Sequence, residues 1–220
     1  MNALDIITDE IPPLKVSDNG EKALRWMDEF RVSHLPILDG NQYKGLISDN
    51  EILDLNDPSV PFRDININLA RPYIKESAHI YEAMRLIADF KITVVPILNV
   101  EEQYVGATNI IYMMSLIAEI GSIKEAGGII ILTMNQVDYS LAEISQIVES
   151  NNAKILSSYI TSGVDSTEME VTLKINKSNL DSILRTFERY EYNVKASYQK
   201  SKYQDDLKNR YDELMNYLKL

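Results

Sequence analysis

Residues 12–38 align with residues 72–98 without a gap when the chain is shifted by 60 positions, and 9 of the 27 aligned pairs are identical. The identities are Pro12/Pro72, Lys15/Lys75, Ser17/Ser77, Ala23/Ala83, Arg25/Arg85, Phe30/Phe90, Pro36/Pro96, Ile37/Ile97 and Leu38/Leu98. One extra residue in the second copy then brings Gly45 onto Gly106. A duplication of this period constrains the fold more than any local propensity does, because each copy must form the same supersecondary unit and bury its apolar face against its neighbour.

The unit reads physically in the same way in both copies. Ala23, Leu24, Met27 and Phe30 recur at helical spacing, as do Ala83, Met84, Ile87 and Phe90. Each helix is followed by a short apolar run, a turn-rich segment ("DGNQ" in the first copy), a second apolar run and the start of another helix near Asn50 or Ile110. The expected order is helix, strand, strand, helix. Pro36 and Pro96 lack an N–H and are expected at a strand start or edge.

Composition removes several function classes. The chain has no cysteine, which excludes disulfides and thiolate chemistry and suits a reducing compartment, so a cytoplasmic location is expected. The N-terminus carries acids where a signal peptide needs a basic start, and no run approaches the roughly 18 apolar residues of a membrane span. Residues 1–120 hold 10 basic against 19 acidic residues, a balance of −9, which disfavours nucleic acid and anionic membrane as partners.

The segments "RVSHLPILDGNQYKGLISDNEIL" and "KITVVPILNVEEQYVGATNIIYM" resemble the two halves of a tandem CBS pair, the module named after cystathionine β-synthase. The resemblance covers residues 1–120, with repeats of about 1–60 and 61–120. It implies clefts between the repeats that in relatives bind AMP, ATP or S-adenosyl compounds, and a role in regulation rather than catalysis. The family's Gly-x-x-Thr/Ser-x-x-Asp signature is met in the first copy by Ser48 and, in altered form, by Glu51, which implies ligand contacts from Leu35, Pro36, Ser48, Asp49 and Glu51. In the second copy Asn109 and Tyr112 stand at the signature positions, so a degenerate site with Val95 and Pro96 is implied there. A homodimer with a regulated protein partner also follows from the resemblance.

Local chemistry offers a competing account of the same residues. Ser48 followed by Asp49 and Glu51 is a good helix N-cap with acids where the helix dipole favours them. His34 and His79, the only histidines, lack ligand spacing and read as packing or surface residues, so no metal site and no catalytic constellation is expected.

The period stops at "IGSIKEAGG", residues 120–128, where a domain break is expected. Apolar patterning beyond it gives β-α-β-β-α-β over residues 128–200, with Ser178 expected to cap the second helix, and this order is ferredoxin-like. The segment resembles an ACT domain, a module that binds amino acids in many relatives, although Ser140 replaces the glycine after Asp138. A CBS pair followed by such a domain is similar to acetoin-utilisation-type CBS proteins. In residues 201–220, Tyr203, Leu207, Tyr211, Leu214 and Leu218 form one stripe of an expected amphipathic helix. The fold class is therefore α+β, and the expected function is ligand sensing by an adenine nucleotide or adenosyl compound. A dimerisation scaffold with decayed pockets is the alternative, and an enzyme is the least supported.

Overall fold

A computed structural model describes residues 1–162 and 167–199, so the residues of the expected C-terminal helix lie outside the described ones. The chain divides into two compact units, Met1–Leu116 and Ile117–Leu220.

The first unit is a duplicated β-α-β-β-α arrangement. The first copy comprises β1 (Leu14–Lys15), α1 (Gly20–Phe30), β2 (His34–Asp39), β3 (Gln42–Ser48) and α2 (Asp49–Leu53). The second comprises β4 (Ile74–Lys75), α3 (Ile80–Phe90), β5 (Val94–Leu98), β6 (Tyr104–Asn109) and α4 (Ile110–Ile120), the last crossing the division between the units. Each copy has a three-stranded sheet in which the second strand is central, β1-β2-β3 and β4-β5-β6. The two-residue strands β1 and β4 are additions to the expected order, being too short to leave any periodicity in the sequence. They also move the prolines. Pro36 and Pro96 lie inside central strands, yet β1 pairs only with Ile37 and Leu38, and β4 only with Ile97 and Leu98, so each ring sits just before the parallel ladder begins.

The two copies repeat their irregularities. Lys44 bulges between Leu38↔Tyr43 and Ile37↔Gly45, and Val105 bulges between Leu98↔Tyr104 and Ile97↔Gly106. α1 and α3 each end on a left-handed residue, Arg31 and Lys91. Asn19 caps α1 by accepting from the Lys22 N–H at 3.0 Å. His79 caps α3 by accepting from the Tyr81 N–H at 3.3 Å, and its ring meets that of Tyr81 edge-on.

The two cores interpenetrate. Val94 and Ala107 of the second copy are buried in the first copy's core, while Leu46 of the first copy is buried in the second's. The segments preceding each copy also exchange. Residues 1–8 cover the second copy, with Ala3 N–H donating to the Ala78 carbonyl and Thr8 N–H to the Ala107 carbonyl. Residues 61–70 cover the first, with the Phe62 N–H on the Asp18 carbonyl and the Leu46 N–H on the Ala70 carbonyl. This close cover explains the aligned glycines. A Cβ at Gly45 would stand 2.5 Å from Leu69 Cβ, and one at Gly106 would stand 2.7 Å from Ile7 Cγ2.

The second unit has β7 (Gly128–Asn135), α5 (Leu141–Ser150), β8 (Ile155–Ser162), β9 (Glu168–Ile175), α6 (Asp181–Arg189) and β10 (Asn193–Tyr198). Its sheet runs β10-β7-β9-β8 with every neighbouring pair antiparallel. Ile144, Ile147 and Val148 of α5, with Ile183 and Phe187 of α6, bury one sheet face with Ile130, Leu132, Val171 and Leu173. Ser178 does not cap α6. The helix starts at Asp181, whose N–H donates to Asn179 Oδ1 at 3.0 Å, because Leu180 is drawn fully into the core first.

Candidate functional site

In the first unit the end of β3 and the first turn of α2 deliver Ser48 and Glu51 to one rim of a 680 Å³ cleft. Its other walls are Leu86 and Phe90 of α3, Ile92 just beyond it, and the connecting residues 70–73. The remaining polar lining comes from His34 and Arg71. The cleft thus combines an apolar wall from the second copy with a hydroxyl, a carboxylate, an imidazole and a guanidinium from the first copy and the connector.

Ser48 and Glu51 form a capping box. Ser48 Oγ accepts from the Glu51 N–H at 3.2 Å, while Glu51 Oε2 accepts from the Ser48 N–H at 2.7 Å and from Ser48 Oγ–H at 2.8 Å. The structural role foreseen for this pair is therefore realised. It consumes one carboxylate oxygen and leaves Glu51 Oε1 without a hydrogen-bond partner among the described residues. Asp49 is half-buried and does not line the cleft, and Leu35 and Pro36 are buried. Leu35 belongs to the first copy's core. Of the five residues expected to bind ligand, the structure brings Ser48 and Glu51 together at the cleft.

His34 is joined to the second copy. Its Nδ1 lies 3.3 Å from the Thr93 nitrogen and 3.2 Å from Thr93 Oγ1, and that hydroxyl also accepts from the Ser33 N–H at 2.9 Å. Partial burial lowers the imidazole pKa below its ordinary value, against the opposing pull of Asp49 and Glu51. Arg71 lies over the Tyr43 ring, its guanidinium 5.8 Å from the centroid, and has no carboxylate within ion-pair distance among the described residues. Lys44 lies outside this cleft, 3.3 Å from Asp39.

The duplicate positions are built differently. Asn109 caps α4, accepting from the Tyr112 N–H at 2.7 Å, and Tyr112 packs against the second copy's core. Val95 and Pro96 are buried. Shifted by 60 residues, the cleft-lining His34 becomes the fully buried Val94, and the exposed Arg71 corresponds to Ile11, also buried. Leu86 and Phe90 correspond to Trp26 and Phe30, which meet edge-on at 6.2 Å and pack against the first copy's core. Buried apolar side chains therefore stand at the duplicate positions of His34 and Arg71, and an amide and a phenol at those of Ser48 and Glu51.

No sequence motif marks His34, Arg71, Leu86, Phe90 or Ile92 as cleft residues, because they lie outside the short signature. The repeat itself held the missing signal, since a cleft between two related copies must draw its far wall from the other copy's helix.

Among known proteins, the family model described as CBS domain matches residues 3–56. No curated protein matches the chain. A CBS domain pair/ACT domain protein from Thermotoga maritima is similar to it at 18% identity and a TM-score of 0.48, over 54% of this chain and 98% of that one. CBSX2 in complex with AMP is similar at 20% identity and 0.47, over 54% and 97%. The cytosolic domain of the Mg²⁺ channel MgtE in complex with ATP is similar at 21% and 0.43, over 52% and 48%.

Proposed function

With a CBS domain at residues 3–56 and its structural duplicate following in the same unit, we propose that this unit senses an adenine nucleotide or adenosyl compound, at one site per chain. The single observation that carries the reading is the cleft in which Ser48, Glu51 and Arg71 face the apolar wall of Leu86, Phe90 and Ile92. A ribose diol supplies two donors, and Glu51 Oε1, free of a partner among the described residues, can accept. A purine face needs the apolar wall, and the Arg71 guanidinium suits a phosphate. Of the phosphorylated candidates, AMP fits the acidic first unit better than ATP, since one cation offsets few phosphate charges.

The protein acts in this reading as a regulator whose ligand state is passed to a partner. Isothermal titration with AMP, ATP and S-adenosylmethionine tests it. Binding at one site per chain that weakens in Arg71→Ala for AMP, and much less for adenosine, supports the reading. Failure of all three ligands to bind would favour a scaffold with a decayed cleft.

A further inference from the structure

We propose that Thr93 of the second copy fixes His34 of the first as a neutral imidazole protonated on Nε2, and that this N–H is the donor by which the cleft selects ligands bearing a hydrogen-bond acceptor on an aromatic ring. The inference rests on the reading of the cleft as a ligand site.

The tautomer follows from the partners of Nδ1. The Thr93 backbone N–H can only donate, and it lies 3.3 Å from Nδ1. The Thr93 hydroxyl, at 3.2 Å, accepts from the Ser33 N–H and still has its own proton to give the ring. Two donors facing one nitrogen require that nitrogen to be the acceptor, so the proton of a neutral ring resides on Nε2. The ring lines the cleft, and all of its hydrogen bonds among the described residues run through Nδ1, leaving the Nε2–H for a ligand.

The duplicate position strengthens the assignment. Val94 occupies it in the second copy and is fully buried in apolar core. The fold thus accepts an aliphatic side chain here, and the imidazole answers no packing need common to both copies. The charged groups facing the ring are Asp49 and Glu51 from α2, with Arg71 lining the same cleft from the connector. Desolvation outweighs the two carboxylates and keeps the ring neutral at pH 7. Protonation would place an Nδ1–H against the Thr93 N–H and bring a cation beside Glu51, which then pairs with the imidazolium rather than with a ribose. Thr93 is accordingly a positioning residue and His34 the group that touches ligand.

The test uses the full chain. Long-range ¹H–¹⁵N correlation of the histidine rings at pH 7.5 should show His34 with an unprotonated Nδ1 and a protonated Nε2; the opposite tautomer overturns the proposal. Calorimetric titration with adenosine, which carries no titrating phosphate, should show about a three- to tenfold loss in His34→Phe and near-wild-type affinity in His34→Gln, whose amide supplies both an acceptor and a donor. As pH falls from 7.5 through the folded pKa of the ring, the wild type should weaken while His34→Gln does not. Thermal unfolding of both variants checks that they fold. Equal affinity of wild type and His34→Phe overturns the role of His34. Absence of adenosine binding in the wild type overturns the ligand reading itself, a result distinct from that one.

Discussion

Replacing Thr108 by valine should stabilise the first unit. Thr108 is fully buried in β6, opposite Val95, and its Oγ1 has no hydrogen-bond partner among the described residues. The duplicate position in β3 is Ile47, also fully buried, so the fold needs no hydroxyl here. A buried hydroxyl without a partner costs about 1–3 kcal/mol, and valine keeps its shape while removing the polar atom. Recovery of about 1–2 kcal/mol is expected, which for a unit of this size raises the unfolding midpoint by roughly 4–8 °C. Scanning calorimetry of the full chain reads this as a shift in the first unit's transition. The reverse change, Ile47→Thr, should cost about 2–4 kcal/mol through the new hydroxyl and the lost methylene. A Thr108→Val protein no more stable than wild type would show that Oγ1 has a partner in solution, and would refute the argument.

Gly45→Ala should destabilise the first unit by several kcal/mol, because the added Cβ meets Leu69 Cβ at 2.5 Å and the Ala70 carbonyl oxygen at 2.9 Å; urea denaturation checks it. Phe187→Ala should cost about 3–5 kcal/mol in the second unit, since the ring is fully buried among Ile144, Val171 and Leu180 and meets Tyr192 edge-on, and this too is read by urea denaturation. Stability should also depend on His34. Its folded pKa lies below the unfolded value near 6.5, so the unfolded chain binds more protons, and stability complete above that value falls as pH drops through the folded pKa. Denaturation midpoints across pH 5–8 should show this slope in wild type and its reduction in His34→Gln; an unchanged slope would place the proton uptake elsewhere.

The duplication was legible because paired residues such as Pro36/Pro96 and Gly45/Gly106 occupy equivalent backbone positions, down to the bulges at Lys44 and Val105. The β-α-β-β-α-β order of the second unit was legible from strand alternation and helical stripes. Strands β1 and β4 were not, since two residues carry no period. The start of α6 was misplaced because Ser178 offered a good capping side chain while burial of Leu180 decided where the helix begins. At the cleft, Ser48 and Glu51 stand out through their resemblance to the CBS signature, but the same spacing also defines a capping box, and the structure shows the box formed. His34 reads from the sequence as a packing or surface residue because its partner, Thr93, lies 59 positions away in the other copy. Arg71 lies in a connector whose proximity to β3 arises from the Leu46–Ala70 pairing, a tertiary contact with no local signature.

In the proposed reading the first copy holds a ligand and its duplicate does not. Calorimetric titration of AMP into the full chain, with Ser48→Ala/Glu51→Ala and Tyr112→Asp run beside the wild type, decides between one site and two. One site per chain is expected in the wild type, with loss of at least about tenfold in affinity in the double variant as ribose hydroxyls lose their acceptor, and an unchanged first site in Tyr112→Asp. Two equivalent sites in the wild type, or undiminished binding when Ser48 and Glu51 are both alanine, would contradict it.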